Sequence, residues 1–418
     1  MCRRTNIRTA SKQKGLALVL VTAAMLSLIG VAALSIDVNH AMLNKTRLQN
    51  SLDAAALAAA IVIDNGGTTA EATTAANTTL TNVANATGND EMDFSTATVA
   101  VQYSNDADVF PDGSFNPAED TFVRVSVTGF ELDNFFAHVF NADKNLDSSA
   151  VAGPSPSVGS TTNIVPIAVC EGEDGGTNGY NPGEVYPIKV ADHHTSDMGP
   201  GNYQLLDFGS GATTVREALA GDPDPIEQYQ TTHGSIGVGS TVTTKPGNTV
   251  GPVGQGLNTR FGSYSGGGVN AADYPSDVYV REPDTSPTTD NDGNVTYEDT
   301  SGAGGQPWGY DDYLSALPDC TGDPDCRIDS GGQVNRRTLV LPVVDCSGAT
   351  GGTTNFTITA LACFFLLQEA PTSNGSKDPV YGEFIEDCSV LSGPPGQNSD
   401  SDGPYRIVLY KDPNGDES

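Results

Sequence analysis

The most marked pattern in the chain is the run from Leu16 to Ile36, which carries no charged side chain and is interrupted in polarity only by Thr22, Ser27 and Ser35. Hydroxyls of this kind bond back to the preceding helical turn, so they do not argue against a helix in an apolar medium. At about 1.5 Å per residue the run reaches about 30 Å, the thickness of a bilayer's hydrocarbon layer. From Leu34 the apolar positions then recur at alternating steps of four and three, through Val38, Ala41, Leu48, Leu52, Ala55, Ala59 and Val62, with Lys45 as the exception. That spacing places them on one helical face and predicts a single rod over residues 16–63. Ala54 to Ala60 is small on every side, which permits close approach of another helix. The stripe Leu48, Leu52, Ala55, Ala59 and Val62 fits either the chain's own body or identical or related helices, and an assembly role places it on partner helices.

Beyond the rod the period changes. Residues 65–90 are rich in Thr, Ala and Asn, which suits a weak helix or an exposed stalk. Val99, Val101 and Tyr103 alternate along one segment and Val123, Val125 and Val127 along another, predicting two antiparallel strands. Phe135, Phe136, Val139 and Phe140 stand at helical spacing, and Leu146 to Ala152 reads as a returning strand. The Pro/Ser/Gly-rich stretch around residues 154–160 reads as a linker. Further strands are expected at Asn163 to Cys170, Val185 to Val190, Arg337 to Cys346, Asn355 to Leu367, Val380 to Glu386 and Tyr405 to Tyr410. On the longest of these, Phe356, Ile358, Ala360, Ala362 and Phe364 are expected to share a face. Residues 209–332 read mostly as loop, with a short helix from Val250 to Phe261. The predicted class is α+β: a long N-terminal helix on a small antiparallel sheet, then a β-rich unit. The corresponding division is 1–15 leader, 16–63 helix, 64–153 α+β domain, 154–160 linker and 161–418 outer domain.

Charge adds direction. The chain has 52 acidic and 20 basic residues, a net charge of −32, so recognition of nucleic acid through its phosphates is excluded as a function class. Arg3, Arg4, Arg8, Lys12 and Lys14 precede the apolar run and Asp37 follows it, which orients a spanning helix with its N-terminus in the cytoplasm and the bulk of the chain exported. A cleaved secretory signal is the rival, but its apolar region is about 7–15 residues long, shorter than this one. Apart from Cys2, the cysteines are Cys170, Cys320, Cys326, Cys346, Cys363 and Cys388. An even number in an exported unit reads as disulfides. The six-residue spacing favours a local Cys320–Cys326 bridge, with the other pairs open.

Candidate chemistry is sparse. Thr288, Asp290, Asp292, Gly293 and Asp299 follow a calcium-loop spacing, with Thr288 in place of the usual Asp and the shorter Asp299 in place of Glu. Asp290, Asp292 and Asp299 are the candidate ligands, calcium is the one cofactor suggested, and an acidic solvated loop is the simpler reading. Asp192, His193, His194 and Asp197 form a weaker metal candidate. No nucleophile motif, phosphate loop or zinc-protease motif occurs, so no catalytic residue is expected.

The segment KGLALVLVTAAMLSLIGVAALSIDVNHAMLNKTRLQNSLDAAALAAA resembles the N-terminal part of TadG-like proteins of the tight-adherence (Flp/Tad) pilus system. Arg47, Leu48, Gln49, Asn50, Asp53 and Ala54 to Ala56 carry the closest match. The resemblance implies a non-enzymatic, pilin-like component of pilus assembly or adhesion. It would be anchored in the bacterial inner membrane, with other pilin-like or Tad components, or a second copy bound through the N-terminal helix, as partners. It also implies a processing position at Gly15 and Leu16. Members that are cut usually carry a Glu five residues into the apolar stretch, where this chain has Leu20. The alternatives are a membrane-tethered binding protein unrelated to pili and a secreted enzyme behind a signal peptide.

Overall fold

A computed structural model describes residues 14–133, 135–136, 144–172, 176–190, 196–209, 211–290, 294–373, 378–394 and 402–415. The predicted rod forms as one helix, α1 (Lys14–Asp64). It turns at Gly66 and Gly67 into α2 (Thr69–Ala84). A Cβ on Gly67 would lie 2.6 Å from the Val62 side chain and 2.7 Å from its carbonyl oxygen, so the turn requires glycine. The Thr/Ala-rich stretch is a helix rather than a stalk, because its start is fixed by a reciprocal cap. The Thr68 amide donates to the Glu71 carboxylate at 2.7 Å and the Glu71 amide donates to the Thr68 hydroxyl at 3.3 Å. Ala72, Ala76 and Leu80 bury the inner face of α2.

The two expected strands, β1 (Thr98–Ser104) and β2 (Phe122–Leu132), pair antiparallel with Val99 opposite Val127 and Val101 opposite Val125. β3 (Lys144–Pro154) pairs with β2 on its other side. This sheet and α2 enclose the lower half of α1: Leu48, Leu52, Ala55 and Ala59 are fully buried among Ala76, Val123, Val125 and Phe130, with Val62 packed at the edge. The stripe assigned to partner helices is therefore occupied by the chain's own body. Its small residues let α2 and the sheet approach closely, and that contact removes the stripe from reach of another chain. The aromatic helix expected from Leu132 is also corrected. Leu132 ends β2, Phe135 and Phe136 form a bend, and residues 137–140 lie outside the described residues.

The second sheet gathers β4 (Val169–Cys170), β5 (Val185–Lys189), β6 (Thr241–Thr243), β9 (Thr338–Val344), β10 (Asn355–Leu366) and β11 (Val380–Ile385) in the order β4-β9-β10-β11-β5, with β6 beside β10. A hairpin of β7 (Thr288–Thr289) and β8 (Val295–Thr296) and a parallel pair of β12 (Asp387–Ser389) and β13 (Gly403–Tyr405) stand apart from it. The expectation for β10 fails at one residue. A bulge between Ile358 and Ala360 inserts an unpaired position and reverses the alternation. Phe356 and Ile358 consequently share one core with Leu361, Cys363 and Phe365, while Ala362, Phe364 and Leu366 fill the opposite core. Both faces of the sheet are covered.

The covering includes helices in the stretch read as loop: α3 (Ala212–Ala220), α4 (Asp224–His233) and α6 (Tyr310–Ala316), besides the expected α5 (Val250–Leu257). Three disulfides staple this unit. Cys320–Cys326 is the local bridge expected from spacing, and Cys170–Cys346 and Cys363–Cys388 are the pairs left open by sequence.

The last strand, β14 (Ile407–Tyr410), pairs with β3, so the fourth strand of the first sheet comes from the far end of the chain. Arg124 and Asp412 seal that return with an ion pair at 2.8 Å.

At the centre of the second unit Arg337 is completely buried. Its guanidinium donates to the carbonyls of Leu366, Leu367, Tyr279 and Arg281 at 2.8–3.1 Å and lies 4.4 Å from the Phe365 ring centre and 4.6 Å from that of Phe261. Burial lowers its pKa to about 10. Its backbone amide donates to Asp277, which also accepts from the Tyr313 hydroxyl and the Tyr279 amide.

Candidate functional site: the N-terminal helix and its seat

α1 changes environment along its length. Between Leu18 and Ile36 every large apolar side chain is more than half exposed, and no part of this window is buried within the chain. Among the described residues it is the one helix long and apolar enough to cross a membrane. The first buried residue along the described helix is Asp37, which accepts the amides of Phe135 at 3.2 Å and Phe136 at 2.9 Å. One turn on, His40 meets Glu91 at 2.8 Å, and its ring stands edge-on to Phe135 at 4.8 Å. Asn44 also donates to Glu91, at 2.7 Å, and that hydrogen bond is the largest influence lowering the Glu91 pKa. Asp37, His40 and Asn44 thus form a polar collar that joins the exposed helix to the body, and only Asp37 had a signal in the sequence, as the charge closing the apolar run.

Past the collar Gln49 donates to the Ser149 carbonyl on β3 at 3.0 Å, and the apolar stripe takes over. The lower end of α1 reaches the second unit. The Tyr405 hydroxyl donates to Asp64 at 2.6 Å and Asn335 donates to Asn65 at 3.1 Å. Burial raises the Asp64 pKa, and the Tyr405 hydrogen bond works against that rise. Beside this junction lies a cleft of about 1110 Å³ bordered by Ile61, Asp64, Arg260, Arg336 and Arg406. Its three arginines are committed to carbonyls of Leu219, Ala220, Pro275, Arg336 and Gly393, so the cleft reads as a joint between the two units.

The other candidates from sequence are described only in part. Asp290 accepts the Asn294 amide at 2.8 Å within the β7–β8 hairpin, whereas Asp299 is buried and accepts the amides of Asp284 at 2.8 Å and Ser301 at 2.9 Å. Asp292 lies outside the described residues, as do Asp192, His193 and His194. Among the described residues no group of three or more His, Cys, Asp or Glu is arranged to hold a metal. Gly15 and Leu16 fall in the first turn of α1.

A titrating group that sequence reasoning missed lies in the second unit. Glu383 on β11 is buried, accepts the Tyr310 amide at 2.8 Å, and has its pKa raised by burial to about 7. Asp311 and Asp312 push it the same way and Arg337 opposes them. A Cβ on Gly309 would lie 2.4 Å from this carboxylate, so glycine is needed for the contact. Below about pH 4.5 the group is protonated in both folded and unfolded chains and its contribution is full; it is lost as pH rises through about 7, because the folded chain must then ionise a buried acid. Glu383→Gln is expected to raise the urea midpoint at pH 8 relative to the native chain and to flatten its decline between pH 5 and 8. An unchanged slope would remove Glu383 as its cause.

The helix with its collar coincides with a known sequence family. Its model, described as "Putative Flp pilus-assembly TadE/G-like", matches residues 15–62. Residues 15–62 carry a TadE/G-like Flp pilus-assembly domain. The Tad segment begins with the exposed apolar half of α1 and ends two residues before Asp64, so it spans both the apolar half and the half seated on the sheet. No curated protein and no solved structure matches the chain.

Proposed function

We propose that the chain is a non-enzymatic, pilin-like component of a Tad/Flp pilus assembly machine. Residues 16–36 hold it in the bacterial inner membrane with its N-terminus in the cytoplasm, and its body stands in the periplasm or at the cell surface. The observation that carries this reading is that one helix is both the Tad segment and the chain's single long apolar element among the described residues. The basic residues before it and the acid after it support the orientation. Three disulfides beyond it suit an oxidising compartment.

With Leu48, Leu52, Ala55 and Ala59 buried inside, contact with other Tad components or a second copy falls to the exposed half of α1, where the interior Gly30 leaves room for a neighbouring helix. Leu20 replaces the acid of processed relatives, so the helix stays as an anchor rather than being cut at Gly15. The role of the acidic outer unit is to face the exterior, as an assembly or adhesive surface.

The test is genetic. Deleting the coding segment is expected to abolish Flp fibres on the cell surface. The full chain should restore them, and a chain lacking residues 14–36 behind a cleavable signal should not. Fibres that persist in the deletion, or return with the unanchored chain, would refute the role.

A further inference from the structure

We infer that the collar at the base of the exposed helix is a membrane footing: Phe135 and Phe136, with Val38 of α1, sit in the headgroup layer of a phospholipid bilayer, and Met42 and Leu43 meet its outer edge. The inference rests on the membrane-anchored reading and adds to it a surface outside the spanning segment. Three observations carry it. First, these five side chains are each 45–65% exposed, although they belong to the folded body rather than the apolar run. Secondly, they are continuous with the run: Asp37 binds the amides of both phenylalanines, and the Phe135 ring rests on His40, which fixes the bend at the level where the run ends. The headgroup region beyond the hydrocarbon is about 5–8 Å deep on each side; from Ile36 the helix advances about 3 Å to Val38 and about 6 Å to His40, against which Phe135 rests, and about 9–10 Å to Met42 and Leu43 at the outer edge of that layer. Apolar rings and Leu or Met side chains at this depth gain by burial at the acyl boundary.

Thirdly, the charge fits. In a strongly acidic chain, Lys45 and Arg47 are the only lysine and arginine between Gly15 and Val123, and they follow Leu43 closely on α1. They place positive charge beside the headgroups, where long basic side chains are favoured, and Arg47 also lowers the pKa of the neighbouring Glu91. Of the carboxylates near this level, Asp37 accepts two amides and Glu91 is held by Asn44 and His40, while Asp133 and Asp90 are exposed at the rim. The footing fixes how deep α1 sits, and thereby the height of the body above the membrane.

The test uses the full chain with Cys2→Ser, reconstituted in vesicles of phosphatidylcholine with a minor share of phosphatidylglycerol. Single spin labels are placed through Leu26→Cys, Phe136→Cys or Leu391→Cys, and collisions with oxygen and with a water-soluble nickel chelate are measured. Leu391 is 88% exposed on the outer unit and serves as the aqueous reference. The expected result is loss of nickel accessibility at position 136 relative to 391, with oxygen collisions between those at 26 and 391. Nickel accessibility at 136 equal to that at 391, with 26 still shielded, overturns the footing and leaves the anchor standing. Nickel accessibility at 26 equal to that at 391 overturns both. Spin–spin broadening at 136 that disappears on dilution with unlabelled chain assigns the surface to a second copy and overturns the lipid assignment.

Discussion

Replacing Arg337 with methionine is expected to lower the stability of the outer unit by about 3–5 kcal/mol, the cost of breaking a buried charge network by removing one member. The side chain has no exposure, and its loss would leave the carbonyls of Leu366, Leu367, Tyr279 and Arg281 without their donor. Asp277 would lose its nearby positive charge. Burial already raises the pKa of that carboxyl, and Arg337 is the chief influence opposing the rise. Methionine matches the length of the stem but supplies no donor, whereas Arg337→Lys keeps the charge without the fork and should fall between the two. Trp308, the chain's one tryptophan, lies 5.4 Å from the guanidinium, so its emission during urea unfolding reports on this site directly. An unchanged urea midpoint for Arg337→Met would show that the network contributes nothing net.

The second large effect concerns the helix stripe. Leu52→Ala is expected to destabilise the first unit by about 2–5 kcal/mol, because the cavity opens between α1, α2 and the sheet. Leu43→Ala, at a position 53% exposed, should change stability by less than about 0.5 kcal/mol. The pair separates the two uses of the stripe. If it worked between chains, Leu52→Ala would leave the unfolding of the detergent-solubilised chain unchanged and weaken its association. Amide exchange in α2, measured against Leu43→Ala, reads the difference.

Much of the fold was legible because its signals are local. The apolar run, the four-three stripe and the valine alternations of β1 and β2 each occupy a short window and survive into the structure. The stripe's existence was readable but its partner was not, since an apolar face says only that something covers it. The bulge in β10 was invisible for a related reason: one unpaired residue changes no local composition yet moves every later side chain to the other face. β14 pairs with β3 across most of the chain, and such a contact leaves no trace in either segment. The capping pair Thr68 and Glu71 was present in the sequence and would have settled α2 as a helix. In the candidate site, Asp37 was visible as a boundary charge, but its role in holding Phe135 and Phe136 depends on a bend nearly a hundred residues away.

The central claim is that the chain stays attached to the membrane by the same helix that carries the Tad domain. Alkaline carbonate extraction of envelopes from the native organism, followed by intact mass measurement of the chain in each fraction, tests it directly. The account predicts that the chain remains in the membrane pellet with residues 16–36 included in its mass. A chain released to the supernatant, with its first residue beyond Ile36, would contradict it.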